Sequence, residues 1–289
     1  MMKLKPSLRN AVKPVLLFNL SVSIFLFLSG CLGSLEPTYK EEELPQVIKQ
    51  ICKDEFHLDV VTKRTSTTLW IYAPMSQLLH KDYGITPDKV FDEKITDYLR
   101  NILNTIGRVL INSNNTCEFY ALCVSDINIG LDYTIMGSVT DIRKSYAGVI
   151  PWTESNKRYV VKFKVAPEAI GDSTGEHLLT YDIKLADFLA EEIAQRIAVW
   201  FNEEGLKKYF KVEKSTGEFR DNIFSFEYVI KQISEPPKKI KTLKEILNII
   251  AYSLKTYEFK DFSYVQIKDG DSGDKLIVDK AEILARPID

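Results

Sequence analysis

Phe91, Ile95, Leu99, Ile102, Leu103 and Ile106 return every third or fourth residue, so in an α-helix they make one apolar stripe on an otherwise polar rod. Such a stripe is stable only when it packs on another apolar surface. The chain supplies that surface in short segments that read as strands: Leu58 to Thr62, Thr67 to Ala73, Phe119 to Val124, Tyr133 to Val139, Tyr159 to Val165 and Leu178 to Ile183. Thr86-Pro87-Asp88 predicts where the helix starts, because Thr can cap, Pro fits the first helical position and Asp meets the positive helix end. A second helix, about Ala186 to Phe201, turns Leu189, Ile193, Ile197 and Trp200 inward, with Ala186, Ala190 and Ala194 small enough for close approach and Gly205 as its stop. Pro45 opens a shorter helix carrying Val47, Ile48, Ile51, Cys52 and Phe56 on one face. Residues 46–212 therefore predict an α/β (α+β) domain in which a mixed sheet carries two main packed helices.

The polar stretch from Lys211 to Asn222 predicts a boundary, followed by a small unit at 213–289. In that unit Phe224, Phe226, Tyr228 and Ile230 alternate as a strand, and Pro236-Pro237 ends it. Thr242 and Glu245 form a capping box for a helix with Leu243, Ile246, Leu247, Ile250, Leu254 and Tyr257 on one face. Val265 with Ile267, then Leu276 with Val278, flank an Asp269–Asp274 turn as a hairpin. A strand, a helix and a hairpin cover their own apolar face thinly, so this unit is expected to lean on the larger one. Both units run strand, helix, strand, strand, with too few shared identities to establish a duplication.

The first 30 residues hold no acid, and all their basic residues (Lys3, Lys5, Arg9, Lys13) precede an apolar run from Val15 to Leu28. That run has 14 residues, short of the roughly 20 a helix needs to cross a bilayer, so it reads as the apolar region of a signal peptide. Leu28-Ser29-Gly30-Cys31 then resembles the lipobox of bacterial lipoproteins. The resemblance implies removal of residues 1–30, diacylglycerol on the Cys31 thiol, acylation of the new amino terminus, and a lipidated tether over residues 31–45. It implies a membrane partner held through acyl chains, several of which make the anchoring durable. Leu32 in place of an Asp after the cysteine implies the outer membrane, with the protein facing the periplasm.

The order of elements also resembles that of envelope lipoproteins of the curli-secretion CsgG type, penicillin-binding-protein activators and the amino-terminal domain of TolB. The resemblance spans about Thr67 to Phe210 and rests on the strand Asp132-Tyr133-Thr134-Ile135-Met136-Gly137-Ser138-Val139 and on Thr174-Gly175-Glu176, the expected turn between two strands. It implies a non-catalytic module for assembly or recruitment with a protein partner. The short segment from Val109 to Asp132 departs from the longer helical region many such proteins carry there.

Charge excludes one class of partner. The 38 Lys and Arg against 40 Asp and Glu give a net of −2, and loss of the leader with its four basic residues takes this to −6, so no basic field exists to hold nucleic acid. Cys117 and Cys123 are the pair the spacing would join as a disulfide in an oxidising compartment; three separately buried thiols, with Cys52, are the alternative. No Cys-x-x-Cys or paired His accompanies them, so no metal site or cofactor is expected.

No catalytic residue is assigned. Gly171-Asp172-Ser173-Thr174-Gly175 has the pattern of a nucleophile elbow but lies where a hairpin turn is expected. Gly270-Asp271-Ser272-Gly273 and the acids Asp269, Asp271 and Asp274 read as a solvated turn rather than a serine loop or a calcium loop. His57, His80 and His177 read as surface residues, and Asp126, Asp132 and Asp141 as turn and strand-end acids. A cell-wall-directed hydrolase or other periplasmic enzyme is the rival to partner binding, and it would need acids or His converging in a cleft. The segment from Lys144 to Asn156 is too apolar for a plain hairpin turn. Val149, Ile150 and Trp152 either project from the sheet end toward a protein partner or the lipid surface, or fold back as core.

Overall fold

The computed structural model describes residues 37–82, 90–178, 180–203 and 205–287. The lipobox with Cys31 and the Thr86-Pro87-Asp88 cap lie outside the described residues. The class is the one expected, mixed α/β, with two mixed sheets of five and four strands.

In the first sheet, β1 (Val61–Thr65) and β2 (Thr68–Met75) form a hairpin, and α2 (Glu93–Ile111) crosses over to β3 (Phe119–Asp126) and β4 (Leu131–Ser138), a second hairpin. β2 and β3 are parallel, as a crossover helix requires, and β5 (Val160–Val165) adds antiparallel at the edge. One face carries Leu69, Ile71, Leu122, Val124 and Ile135 under α2 and under α1 (Leu44–Phe56). The predicted stripe does this work through Ile95, Leu99, Ile102 and Ile106, but Asp92 caps the helix, accepting from the Lys94 amide at 3.0 Å.

The other face carries Trp70, Phe119, Ala121, Met136 and Val160, and α5 (Leu185–Asn202) covers part of it. The rest lies under residues 166–178 and 180–184. These were expected to hold a strand over Leu178 to Ile183, yet the described part of that segment has no strand. It is pinned instead by side chains: Asp182 Oδ1 accepts from the Thr67 amide and hydroxyl, and Trp70 Nε1 donates to the Tyr181 carbonyl at 2.8 Å. Thr174-Gly175-Glu176 accordingly belongs to this strap and not to a hairpin.

The second sheet repeats the course of the first. β6 (Phe210–Arg220) and β7 (Ile223–Gln232) form a hairpin, α6 (Thr242–Thr256) crosses to β8 (Tyr264–Asp269), and β9 (Lys275–Asp279) closes a hairpin around the predicted Asp269–Asp274 turn. β7 and β8 are the parallel pair. The polar stretch Lys211–Asn222, expected as a boundary, is thus strand β6 and its turn, and the second unit starts near residue 210. The predicted capping box does not form: Lys241 is the cap residue of α6 and no side chain bonds there.

α5 packs between the sheets. Its Leu189, Ile193 and Ile197 share one core with Trp70 and Phe119 of the first sheet and Phe224, Phe226 and Val265 of the second. Close approach is needed on the β6 side: a Cβ on Gly217 would stand 2.1 Å from the Ala190 carbonyl oxygen, and Ser215 Oγ donates to the Ala194 carbonyl at 2.6 Å. The layers run helices, sheet, helices, sheet, and the far face of the second sheet meets solvent with ion pairs such as Lys214 to Glu227.

Cys117 and Cys123 form no disulfide. Both thiols are free: Cys123 lies inside extended β3 and Cys117 two residues ahead of its start, and the strand from Phe119 to Cys123 alone spans about 13 Å, beyond the Cα spacing of a disulfide. Burial pushes the Cys52 and Cys123 thiols up to about 11 and raises Cys117 as well.

Candidate functional site

The segment expected to form a loop between strands instead forms two short helices, α3 (Val139–Tyr146) and α4 (Trp152–Asn156). Gly148, at φ +70°, and Pro151 make the corner between them, and the Val149 and Ile150 amides both donate to the Lys144 carbonyl. Val149 is 68% exposed and Trp152 51%, with Tyr146 beside them at 45%, whereas Ile150 is half-buried. The Tyr146 and Trp152 rings meet edge to face with centroids 5.2 Å apart.

Behind this corner α4, α5 and α6 enclose a cleft of about 390 Å³. Its walls carry Val199, Trp200, Ile249 and Tyr252 together with Lys157, Glu203, Lys244 and Glu245. Trp200, expected in the core, is 39% exposed here, and Phe201 takes the buried position next to it. A 3.6-residue period admits either neighbour; packing on Phe210, with ring centroids 5.4 Å apart, favours Phe201.

The cleft floor is a buried ionic network. Arg158 donates to Asp141 at 2.8 Å and Glu154 at 2.9 Å, while Arg196 donates to Glu192 at 2.6 Å and Glu154 at 3.1 Å. Tyr252 donates to Glu154 at 3.0 Å, its ring lies under the Arg196 guanidinium, and the Tyr257 hydroxyl donates to Asp141. Burial alone would raise the Glu154 carboxyl, but its bonds with Arg196, Arg158 and Tyr252 outweigh that and lower it. Glu192 is fully buried, and burial raises its carboxyl in spite of Arg196. Residues from both units meet here, so the network ties α3 and α4 to α5 and α6.

A second polar cluster lies under the strap. The His177 side chain, expected at the surface, is 3% exposed, with Nδ1 2.6 Å from Asp172 Oδ2 and Nε2 3.3 Å from Asp132 Oδ2. Ser125 Oγ donates to the other Asp132 oxygen at 2.5 Å. Tyr72 packs its ring edge on the imidazole and donates its hydroxyl to the Asp172 carbonyl. Asp172 also accepts from the amides of Thr174, Gly175 and His177, and these bonds with the His177 ring hold its carboxyl well below the usual range against the pull of burial. The Gly-x-Ser-x-Gly pattern is therefore an Asp-capped turn that delivers His177 inward.

The three candidate aspartates separate into three tasks. Asp132 holds His177, Asp141 holds Arg158, and Asp126 caps the β3–β4 turn through the amides of Asn128 and Ile129 and fixes the Leu78 amide at 2.9 Å. His57 ends α1 in the left-handed region, and the His80 amide donates to the Val90 carbonyl. Among the described residues no three His, Cys, Asp or Glu are arranged to hold a metal ion, and no helix is long and apolar enough to cross a membrane. No protein-family model matches this chain, and no curated protein or solved structure matches it.

Proposed function

We propose that this chain is a lipid-anchored protein of the bacterial cell envelope, fixed through Cys31 to the outer membrane and facing the periplasm, whose body is a non-catalytic module that binds a protein partner in envelope assembly. The observation that carries the binding role is the cleft between α4, α5 and α6, where Val199 and Trp200 offer apolar surface beside charged side chains of both signs. An aromatic anchor ringed by polar groups is the usual composition of a protein-recognition hot spot. A protein segment with one apolar side chain flanked by charges of both signs fits such a wall. The leader with its Leu28-Ser29-Gly30-Cys31 end supports the anchor.

The rival reading, a cell-wall-directed hydrolase, draws on the Asp132–His177–Asp172 arrangement. A general base needs a ring nitrogen within reach of a substrate proton. His177 has both nitrogens against carboxylates and its ring under the strap, an arrangement suited to holding the strap on the sheet. Mass spectrometry of the mature amino terminus and photo-crosslinking from the cleft in native membranes test the proposal together. Expected results are a diacylglycerol-modified Cys31 as first residue, and an envelope-protein adduct that Trp200→Ser weakens without changing the melting temperature. An intact leader overturns the anchor; a cell-wall-degrading activity lost in His177→Ala and kept in Trp200→Ser overturns the binding role.

A further inference from the structure

The start of the body at Tyr39 and the aromatic corner both lie toward the carboxy-terminal end of α2. Just past that helix Tyr39 bridges to Ser113 and its amide donates to the Asn112 carbonyl at 3.2 Å. Glu41 is docked as well, 2.6 Å from Arg64 and bonded to Thr116, so the body begins near Tyr39 and not at residue 46 as the sequence suggests. Cys31 precedes Tyr39 by eight residues, which reach at most about 28 Å. On the same helix Tyr146 lies against Gly107, where an added Cβ would come within 3.0 Å of its hydroxyl. Gly107 and Asn112 are five residues apart, about 7.5 Å along the axis. Arg108, between them, lies within electrostatic reach of both Tyr39 and Tyr146.

We propose that the corner of Tyr146, Val149 and Trp152 seats in the interfacial layer of the bilayer that holds the Cys31 acyl chains, and so fixes the body in one orientation on the membrane. This rests on the acylation of Cys31. Tyr and Trp rings favour the membrane–water boundary, where an apolar body and a polar edge are both satisfied. Arg143 and Lys144, in the last turn of α3, stand at the rim where lipid phosphates would be met. The exposed Glu42 and Glu43 lie beside the tether, so the rings and not net charge lead the contact. The corner is already fixed by the two amides on the Lys144 carbonyl, so little ordering entropy opposes its insertion. A short tether also gives the second contact a high effective concentration.

The chain has three tryptophans, of which Trp70 is buried, so fluorescence can address the corner directly. The full acylated protein is placed in phosphatidylethanolamine–phosphatidylglycerol vesicles containing brominated lipid, and emission quenching is compared among wild type, Trp152→Phe and Trp200→Phe. The expected result is quenching that is kept in Trp200→Phe and mostly lost in Trp152→Phe, with Val149→Ser weakening it. Membrane-bound, acylated protein whose Trp152 emission is unquenched overturns the proposal, as does a photo-crosslinker at position 152 that labels a protein and not lipid. The mass of the Cys31 peptide separates the two failures: an unmodified Cys31 removes the anchor and this proposal with it, whereas a modified Cys31 with an unquenched Trp152 removes this proposal alone.

Discussion

β3 and β8 hold the same place in their sheets, each entering from a crossover helix, parallel to the strand before that helix and opening the second hairpin. All eight residues of β3 are buried, whereas buried and half-buried residues alternate along β8. Topology is common to both, so the difference comes from cover. The first sheet lies between α1 with α2 on one side and α5 with the strap on the other; among the described residues the second is covered on one side only. A strand covered on both faces is written as a continuous apolar run, and one covered on a single face as an alternation. α5, though it follows every strand of the first sheet in the chain, thus decides the composition of those strands.

If α5 and its network bind the units into one cooperative body, Arg158→Met, which leaves Asp141 buried with the Tyr257 hydroxyl but no cation, should cost about 3–5 kcal/mol and move a single urea transition. Two transitions, with only one displaced, would show the sheets unfolding separately. The contrast between strands is sharpened by Leu122→Ala on β3, expected to cost about 3 kcal/mol, against Gln266→Ala on the open face of β8, expected to stay within about 0.5 kcal/mol by the same titration. Gly217→Ala tests the packing of α5 on β6: the helix must move off the strand, at about 1–3 kcal/mol and with a lower melting temperature.

A smaller effect than that of Gly217→Ala belongs to the strap. Lys184 first, then Thr67 and Thr68, draw the Asp182 carboxyl down to about 2 against the effect of burial. The folded state therefore favours its ionised form, and that stabilisation is present above the ordinary carboxylate range and is lost as pH falls toward 2. Asp182→Asn should cost about 1 kcal/mol at pH 7, and the difference from wild type should shrink below about pH 4. Equal differences at pH 7 and pH 3 in denaturant titrations would remove Asp182 as the pin.

The long helices were legible because burial of one face imposes a period, and the twice-covered strands because burial of both faces writes a continuous apolar run. β6 was not: it is an edge strand whose inward positions include Ser215 and Gly217, chosen for contact with the α5 backbone rather than for apolarity. α3 and α4 were hidden because the segment from Lys144 to Asn156 reads as a link between strands, whereas Gly148 and Pro151 serve as the corner between helices. His177 joins Asp132 from 45 residues away, a contact that no local spacing encodes. For Val149, Ile150 and Trp152 the sequence left projection and folding back both open; the corner at Gly148 and Pro151 exposes Val149 and Trp152 and half-buries Ile150.

The place of α5 between two sheets also bears on how the protein is made. Synthesis delivers the first sheet through β5 before residues 185–202 exist, so a nascent first unit presents Trp70, Phe119, Ala121, Met136 and Val160 as an uncovered apolar face. At roughly 5–20 residues per second, the 37 residues from the end of β5 to the end of α5 take about 2–7 s. During that interval the face is a natural target for holdase chaperones, and arrest of translation between β5 and α5 should yield the most aggregation-prone fragment of this chain.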